Sequence, residues 1–260
     1  MRLLFIGDIV GNPGRKAVKE VVPRLRRELS IDFCIANCEN AAGGSGITYV
    51  VAQELYKSGI DAITMGNHTW SKKEISNFID SDPKIVRPAN YPEGLPGKGS
   101  AVIEGSKGSI GILNLMGRVY MDIIDCPFRT AQKELEYLKS FVKVILVDMH
   151  AEATSEKCAL AWYLDGKVSC VIGTHTHVQT SDERILPCGT GYLTDAGMTG
   201  PYEGIIGVDR EIVIEKFLKN IPVRFEVAKG DVQFNGVVLD IDEKTGKTTS
   251  INRITKILSL

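Results

Sequence analysis

Short apolar, β-branched runs alternate with longer amphipathic stretches along the first part of the chain. LLFIG at 3–7 is followed by a basic, helix-like segment at 15–29, then DFCIAN at 32–37, the helical pattern YVVAQELYKS at 49–58, and DAITMG at 61–66. This is the grammar of βαβ units, and it predicts a largely parallel sheet at the start. A section carrying Pro88, Pro92 and Pro96 comes next. Two strand-like runs, SAVIEG and SIGILNL, joined by a short SKG turn, then predict an antiparallel pair. The βα alternation resumes as helix-like TAQKELEYLKSF leads into VKVILVDMH and helix-like EKCALAWYLD into VSCVIGTHTH. The tail, 224–260, reads as strands around a KTGK turn. With no repeat, low-complexity tract or long linker, one domain over 1–260 is expected. Its α/β class is a mixed sheet, or a mixed two-sheet sandwich flanked by helices.

Composition narrows the function classes. The chain has 260 residues, 43% of them hydrophobic, which suits a globular protein with one core. Its 31 basic and 32 acidic residues nearly cancel, so no overall positive field holds nucleic acid, and stable nucleic-acid binding is not indicated; a small or single-stranded substrate is compatible. The opening MRLLFIGDIVGN is broken by Gly7 and Asp8 before it makes a signal-peptide core, and no later run reaches the ~20 apolar residues of a membrane helix. A cytoplasmic protein without a membrane partner is expected; a homo-oligomer is left open. Cys34, Cys38, Cys126, Cys158, Cys170 and Cys188 form no CxxC pair and are read as reduced and mostly buried.

Candidate chemistry lies where the apolar runs stop. LLFIG is followed by Asp8, FCIANC by Glu39 and Asn40, AITMG by Asn67 and His68, VILVDM by His150, and CVIGT by His175 and His177. Ligands in α/β sheets bind at the carboxyl ends of strands. The chain has four histidines, and this set contains all of them. An isolated histidine is ordinarily a core or loop residue, and Asp8 or the Glu39–Asn40 pair taken singly reads as a turn or helix cap. It is the repetition that favours a site. An extended His175-Thr176-His177 would turn both imidazoles to one side of a strand end. Carboxylate, amide oxygen and imidazole suit Fe, Mn or Zn, and seven or eight such groups are enough for two ions sharing a bridging carboxylate.

GNHTW at 66–70 and GTHTHVQT at 173–180 resemble the GNH and GHxH signatures of the calcineurin-like metallophosphoesterase superfamily, with Asp8 and His150 in the matching order. Two departures stand out: the usual DxH opening is Asp8-Ile9-Val10, and the usual bridging Asp is Glu39 within ANCEN. Together with GDIVGNPGR and AGMTGPYEG, they are similar to the bacterial YmdB-like branch, linked to hydrolysis of phosphodiesters including 2′,3′-cyclic nucleotides. The resemblance implies a four-layer αββα fold. It implies Asp8, Glu39, Asn40 and His177 around one metal, Glu39 bridging to a second held by Asn67, His150 and His175, and His68 as general acid. It further implies cleavage of a small or cyclic nucleotide such as 2′,3′-cyclic AMP by metal-activated hydroxide attack. The oxygen-rich first site favours iron or manganese, with zinc also accommodated. The alternatives are a metal-dependent amide hydrolase and a non-catalytic regulator that binds metal or cyclic nucleotide.

Weaker features remain. Gly43-Gly44-Ser45-Gly46 is a turn whose amides offer a phosphate site as an alternative. Arg15, Lys16, Lys19, Arg24, Arg26 and Arg27, interrupted by Pro23, read as a solvated helix face. Gly197, Thr199 and Gly200 either line the substrate pocket or form a plain connection; no substrate-binding residue is assigned.

Overall fold

The computed structural model describes residues 1–259; Leu260, the last residue of the predicted tail, lies outside the described residues. In chain order the elements are β1 Arg2–Ile6, β2 Asp8–Ile9, α1 Gly11–Glu28, β3 Phe33–Asn37, α2 Tyr49–Lys57, β4 Ala62–Thr64, β5 Ile85–Val86, β6 Ser100–Gly105 and β7 Gly108–Met116. There follow α3 Pro127–Leu138, β8 Ile145–His150, α4 Thr154–Tyr163, β9 Cys170–Thr174, β10 Arg184–Ile185, β11 Gly191–Leu193, β12 Met198–Pro201, α5 Arg210–Lys219, β13 Val232–Ile241 and β14 Thr248–Leu258. One sheet runs β2-β12-β13-β1-β3-β4-β5 with β14 paired along β13, and the other runs β10-β11-β9-β8-β7-β6. As the pattern predicts, β1, β3 and β4 are parallel, β6 and β7 antiparallel, and β13 and β14 antiparallel; β5 adds a further parallel strand.

Strand pleating sorts the side chains into layers. Leu3, Phe5, Phe33 and Ile35 from the first sheet meet Ile110, Ile112, Leu146 and Ile172 from the second in the core between them. The alternate residues face outward to helices. Leu4, Ile6, Cys34 and Ala36 pack with Val18, Val22, Val51 and Leu55 of α1 and α2. Leu113, Leu115, Val147 and Met149 pack with Leu135, Leu138 and Leu160 of α3 and α4. The result is the expected two-sheet sandwich with helices on both outer faces, and no described helix is long and apolar enough to cross a membrane.

Several expectations change in detail. Helix α1 starts at Gly11 and runs through Pro23 unbroken. The proline costs roughly 3 kcal/mol. The buried Val18, Val21, Val22 and Leu25, at about 1.5–3 kcal/mol each, outweigh it. Lys16, Lys19, Arg24 and Arg27 are exposed, as a solvated face requires, but Arg15 and Arg26 depart from it, partly buried and ion-paired with Glu54 and Asp61. Gly197, Thr199 and Gly200 do not line the cleft; they are buried around β12, which bonds to β2 and β13. Helix α5 and the short strands β2, β5, β10 and β12 are not predicted by the pattern. All six cysteines are free; Cys34, Cys38 and Cys170 are buried, Cys126 and Cys158 partly so, and Cys188 is exposed.

Candidate functional site

At the carboxyl ends of the strands the layer between the sheets changes from apolar to polar. On β3 the inward parity of Phe33 and Ile35 continues to Asn37, and on β8 that of Leu146 continues to Asp148 and His150. Cys38 points the other way, into the helix-side core, as its position beside Glu39 implies. Asp8, Asn37, Glu39, Asn40, Asp148, His150 and Thr174 are all buried. So many polar groups can be buried only if they satisfy one another or a ligand.

Four predicted residues meet at one point. His150 Nε2 lies 3.0 Å from Asn67 Oδ1, 3.0 Å from His175 Nδ1 and 3.3 Å from Glu39 Oε1. Glu39, His150 and His175 each present a ligand atom, all within 4.8 Å of one another. Next to them is a second group. His177 Nε2 lies 3.2 Å from the Asn40 amide nitrogen and 3.7 Å from Asp8 Oδ1. Asp8 Oδ1 is buried without a hydrogen-bond partner among the described residues, while Asp8 Oδ2 accepts from the His175 backbone N–H at 3.1 Å. The free carboxylate oxygen and the crowded imidazole nitrogens fit a cation better than they fit each other. Gly66 completes the enclosure, because a Cβ there would collide with His150 Nε2 and Glu39 Oε2.

Electrostatics tell the same story. Burial pushes the Asp8 carboxyl upward, and His177 and His150 offset this only in part. Burial opposes ionisation of Glu39, yet His150 and His68 hold it well below the usual carboxylate range. Burial draws His150 down, but Glu39, Asp8 and Asp148 together push it up to about 9. His175 falls to about 3, through burial first and the adjacent His150 second. Two imidazoles this close do not both carry a positive charge.

His68 stands at the rim, with 39% of its side chain exposed. Its Nδ1 is 2.7 Å from Asn40 Oδ1 and 3.1 Å from Glu39 Oε1, and its backbone N–H donates to Glu39 Oε2 at 2.8 Å. The bond to Glu39 raises its pKa. Asn40 departs from the expected arrangement: its oxygen faces His68 and its nitrogen faces His177, so meeting a cation beside His177 requires the amide to turn over.

The HxH pair is not extended. Both histidines follow β9 with left-handed backbones, φ 93° at His175 and 65° at His177, and reach the two groups from a loop. Such strain persists only where surroundings fix it. Here Asp195 accepts from the Thr176 N–H at 3.1 Å and the Thr176 hydroxyl at 2.7 Å, and Lys157 Nζ donates to the same carboxylate at 2.7 Å. Glu152 lies 3.2 Å from His175 Nε2. A relay supports His150: Thr174 Oγ1 donates to Asp148 Oδ1 at 2.7 Å and lies 2.9 Å from His150 Nδ1. Since the hydroxyl's one proton goes to Asp148, Nδ1 must be the donor, so in the neutral imidazole the lone pair lies on Nε2, the atom that faces the cluster. Sequence reasoning misses Asp148, Thr174, Glu152, Lys157 and Asp195, because each acts through another residue.

The helix-cap readings of Asp8 and of the Glu39–Asn40 pair do not hold, whereas the plain-turn reading of 43–46 does. The residue capping α1 is Val10, not Asp8, and α2 is capped by Thr48, not by Glu39 or Asn40. In the 43–46 turn, the Gly44 and Gly46 amides donate to the Asn40 and Glu39 carbonyls, so they are spent on the turn rather than held for phosphate.

A family profile described as YmdB-like protein matches residues 4–254. The chain is 54% identical over 254 residues, 98% of its own length and 96% of the relative's, to the 2′,3′-cyclic-nucleotide 2′-phosphodiesterase of Bacillus subtilis (strain 168). The crystal structure of a hypothetical protein from Thermus thermophilus aligns with TM-score 0.93 and 43% identity over 99% of both chains. A structure described as a novel phosphatase, from Mycoplasma pneumoniae, aligns with TM-score 0.93 and 35% identity, covering 100% of this chain and 94% of that one. With its sandwich, its converging donors and these relatives, the chain belongs to the YmdB-like family, hydrolases of ester bonds built on the calcineurin-like phosphoesterase fold.

Proposed function

We propose that this chain, acting as one cytoplasmic domain, hydrolyses phosphodiester bonds of small or cyclic nucleotides, 2′,3′-cyclic AMP among them, with two metal ions. The observation that carries the reading is the pairing of the Glu39, Asn67, His150 and His175 cluster with the adjacent unpartnered Asp8 Oδ1. Asp8, Asn40 and His177 would hold one ion; Asn67, His150 and His175 would hold the other; and Glu39, between the groups, would bridge them. Iron or manganese suits the oxygen-rich first set, and zinc is accommodated. Bound there, the ions supply phosphate charge neutralisation and a nucleophile at neutral pH.

The chain's own groups do the rest. The buried, ionised Glu39 carboxylate sets the spacing of the two sites. His68, at the rim with its Nδ1 held by Glu39, turns its other nitrogen to the leaving oxygen and gives it a proton. The pull of Glu39 keeps that proton on the ring until it is needed. The cleft walls position the ester, and positioning provides much of the acceleration in such displacements.

The test is turnover of bis(p-nitrophenyl) phosphate, p-nitrophenyl phosphate and 2′,3′-cyclic AMP by protein with measured Fe, Mn and Zn, beside Glu39→Ala. The expected result is about two metals per chain, with diester hydrolysis lost in the variant. Full metal content without turnover of any ester would favour the amide-hydrolase or regulatory alternative.

A further inference from the structure

The cleft extends well past the cluster. It has a volume of about 550 Å³, within the range of small-molecule sites and more than a phosphate needs. One end is formed by Glu39, Asn40, His68, His175 and His177. The other is an apolar wall of Val10, Ile206, Val208, Phe225 and Val227. Phe225 is 48% exposed and Ile206 53%, so this wall leaves apolar area to solvent beside the chemistry.

The wall is built, and it is tied to the cluster. Asp209 N–H donates to the Glu226 carbonyl at 2.9 Å and Ala228 N–H to the Gly207 carbonyl at 3.0 Å, which fastens the 205–209 loop to the segment carrying Phe225. His177 Nδ1 donates to the Ile206 carbonyl at 2.9 Å, so one imidazole joins the apolar wall to the polar end. Gly44, at φ +95°, lets its turn close against Val227, where a Cβ would meet Val227 Cγ2 at 3.0 Å. Lys216 Nζ, 4.6 Å from the ring centroid, steadies Phe225.

We propose that Phe225 and the aliphatic side chains around it form the seat of the substrate's nucleobase, with the phosphate at the Glu39 and His175 end. The inference rests on the nucleotide-hydrolase reading above and adds the determinant of substrate choice. An apolar wall carrying one aromatic ring, next to a phosphate site, matches a base joined to its phosphate through a ribose. Among the described residues, the cleft is lined by no lysine, arginine or glutamine; Ser45, Glu152, Thr176 and Glu226 are its polar side chains outside the donor cluster, and Lys216, which is not among the lining residues, reaches the Phe225 ring. Base edges are therefore barely read, and stacking sets the preference: purines above pyrimidines, with little distinction between adenine and guanine.

The experiment compares manganese-loaded wild type, Phe225→Ala and Phe225→Trp on 2′,3′-cyclic AMP and on ribose 2′,3′-cyclic phosphate, which lacks the base. Calorimetric binding of adenosine 3′-monophosphate and ribose 3-phosphate runs alongside. Stacking on one aromatic ring predicts that Phe225→Ala lowers the preference for nucleotide over sugar phosphate, in KM and in affinity, by about tenfold. Phe225→Trp retains it. Equal losses on both compounds, or no change in the ratio, would overturn the proposal. So would a change of oligomeric state in Phe225→Ala with the ratio intact, since the wall would then be covered by a second copy. If wild type turns over neither ester, the hydrolase reading falls, and the calorimetric ratio still decides whether Phe225 seats a base.

Discussion

Lys157→Met tests whether the left-handed His175-Thr176-His177 loop is held by a buried charge pair. Lys157 and Asp195 are 1% and 0% exposed, with Nζ and Oδ2 2.7 Å apart. The same carboxylate holds Thr176 through its amide and hydroxyl, and its Oδ1 accepts from the Gly197 amide at 2.8 Å. Methionine fills much of the volume of the lysine stem, so packing changes little and the loss is mainly electrostatic. Removing one partner of a buried pair costs about 3–5 kcal/mol, because the other charge stays buried alone. For a chain of this size that lowers Tm by roughly 6–20 °C. Urea unfolding of chelator-stripped wild type, Lys157→Met, Asp195→Asn and the double variant measures it without metal linkage. The double variant should be more stable than Lys157→Met, since an asparagine oxygen still accepts from Thr176 and no charge is stranded. A single-variant cost below about 1 kcal/mol, or a double variant whose loss equals the sum of the singles, would refute the account.

Two further outcomes are expected. Thr174→Val removes the hydroxyl between Asp148 and His150, leaving Asp148 Oδ1 and His150 Nδ1 short of a partner; manganese affinity by calorimetry should weaken about 10–100-fold while the fold persists, and unchanged affinity would remove the relay from the site. His68→Ala should keep metal content near wild type and lower kcat for a diester with a poor leaving group by about 10²–10⁴-fold, with a smaller loss for p-nitrophenolate, which leaves with little help from an acid. Equal losses for both leaving groups would assign His68 to charge stabilisation or structure instead of proton donation.

Much of the architecture is legible from periodicity. The βαβ opening, the β6–β7 and β13–β14 hairpins and the carboxyl-end placement of Asp8, Glu39, Asn67, His150 and His175 all follow from where apolar runs start and stop. What periodicity cannot supply is a backbone set by tertiary bonds. The HxH motif reads as extended because nothing local in THTH marks φ > 0; the left-handed turns at His175 and His177 exist because Asp195, far along the chain, captures Thr176. Helix α5 escapes for a different reason. Of its apolar residues Val213 is buried while Ile214, Phe217 and Leu218 are exposed, so its apolar positions do not mark a face packed on the core.

The supporting residues divide by the same logic. Asp148 precedes His150 by two positions on a strand whose Leu146 faces the layer between the sheets, so strand parity alone puts the carboxylate on the same face as the imidazole. A carboxylate forced into that layer needs partners, and Asn37, Thr64 and Thr174 supply them from β3, β4 and β9 at the same level. Lys157 offers no such clue. In EKCALAWYLD a lysine reads as an exposed helix position, and its burial depends on Asp195, which sits near the end of the strand-like GYLTDA with nothing local to mark a lysine partner. Each is costly to bury without the other, so each taken alone points to the surface. A residue whose own ladder places it in the site can therefore be found from sequence, whereas a buried pair whose members justify each other becomes visible only when the fold brings both to the same loop.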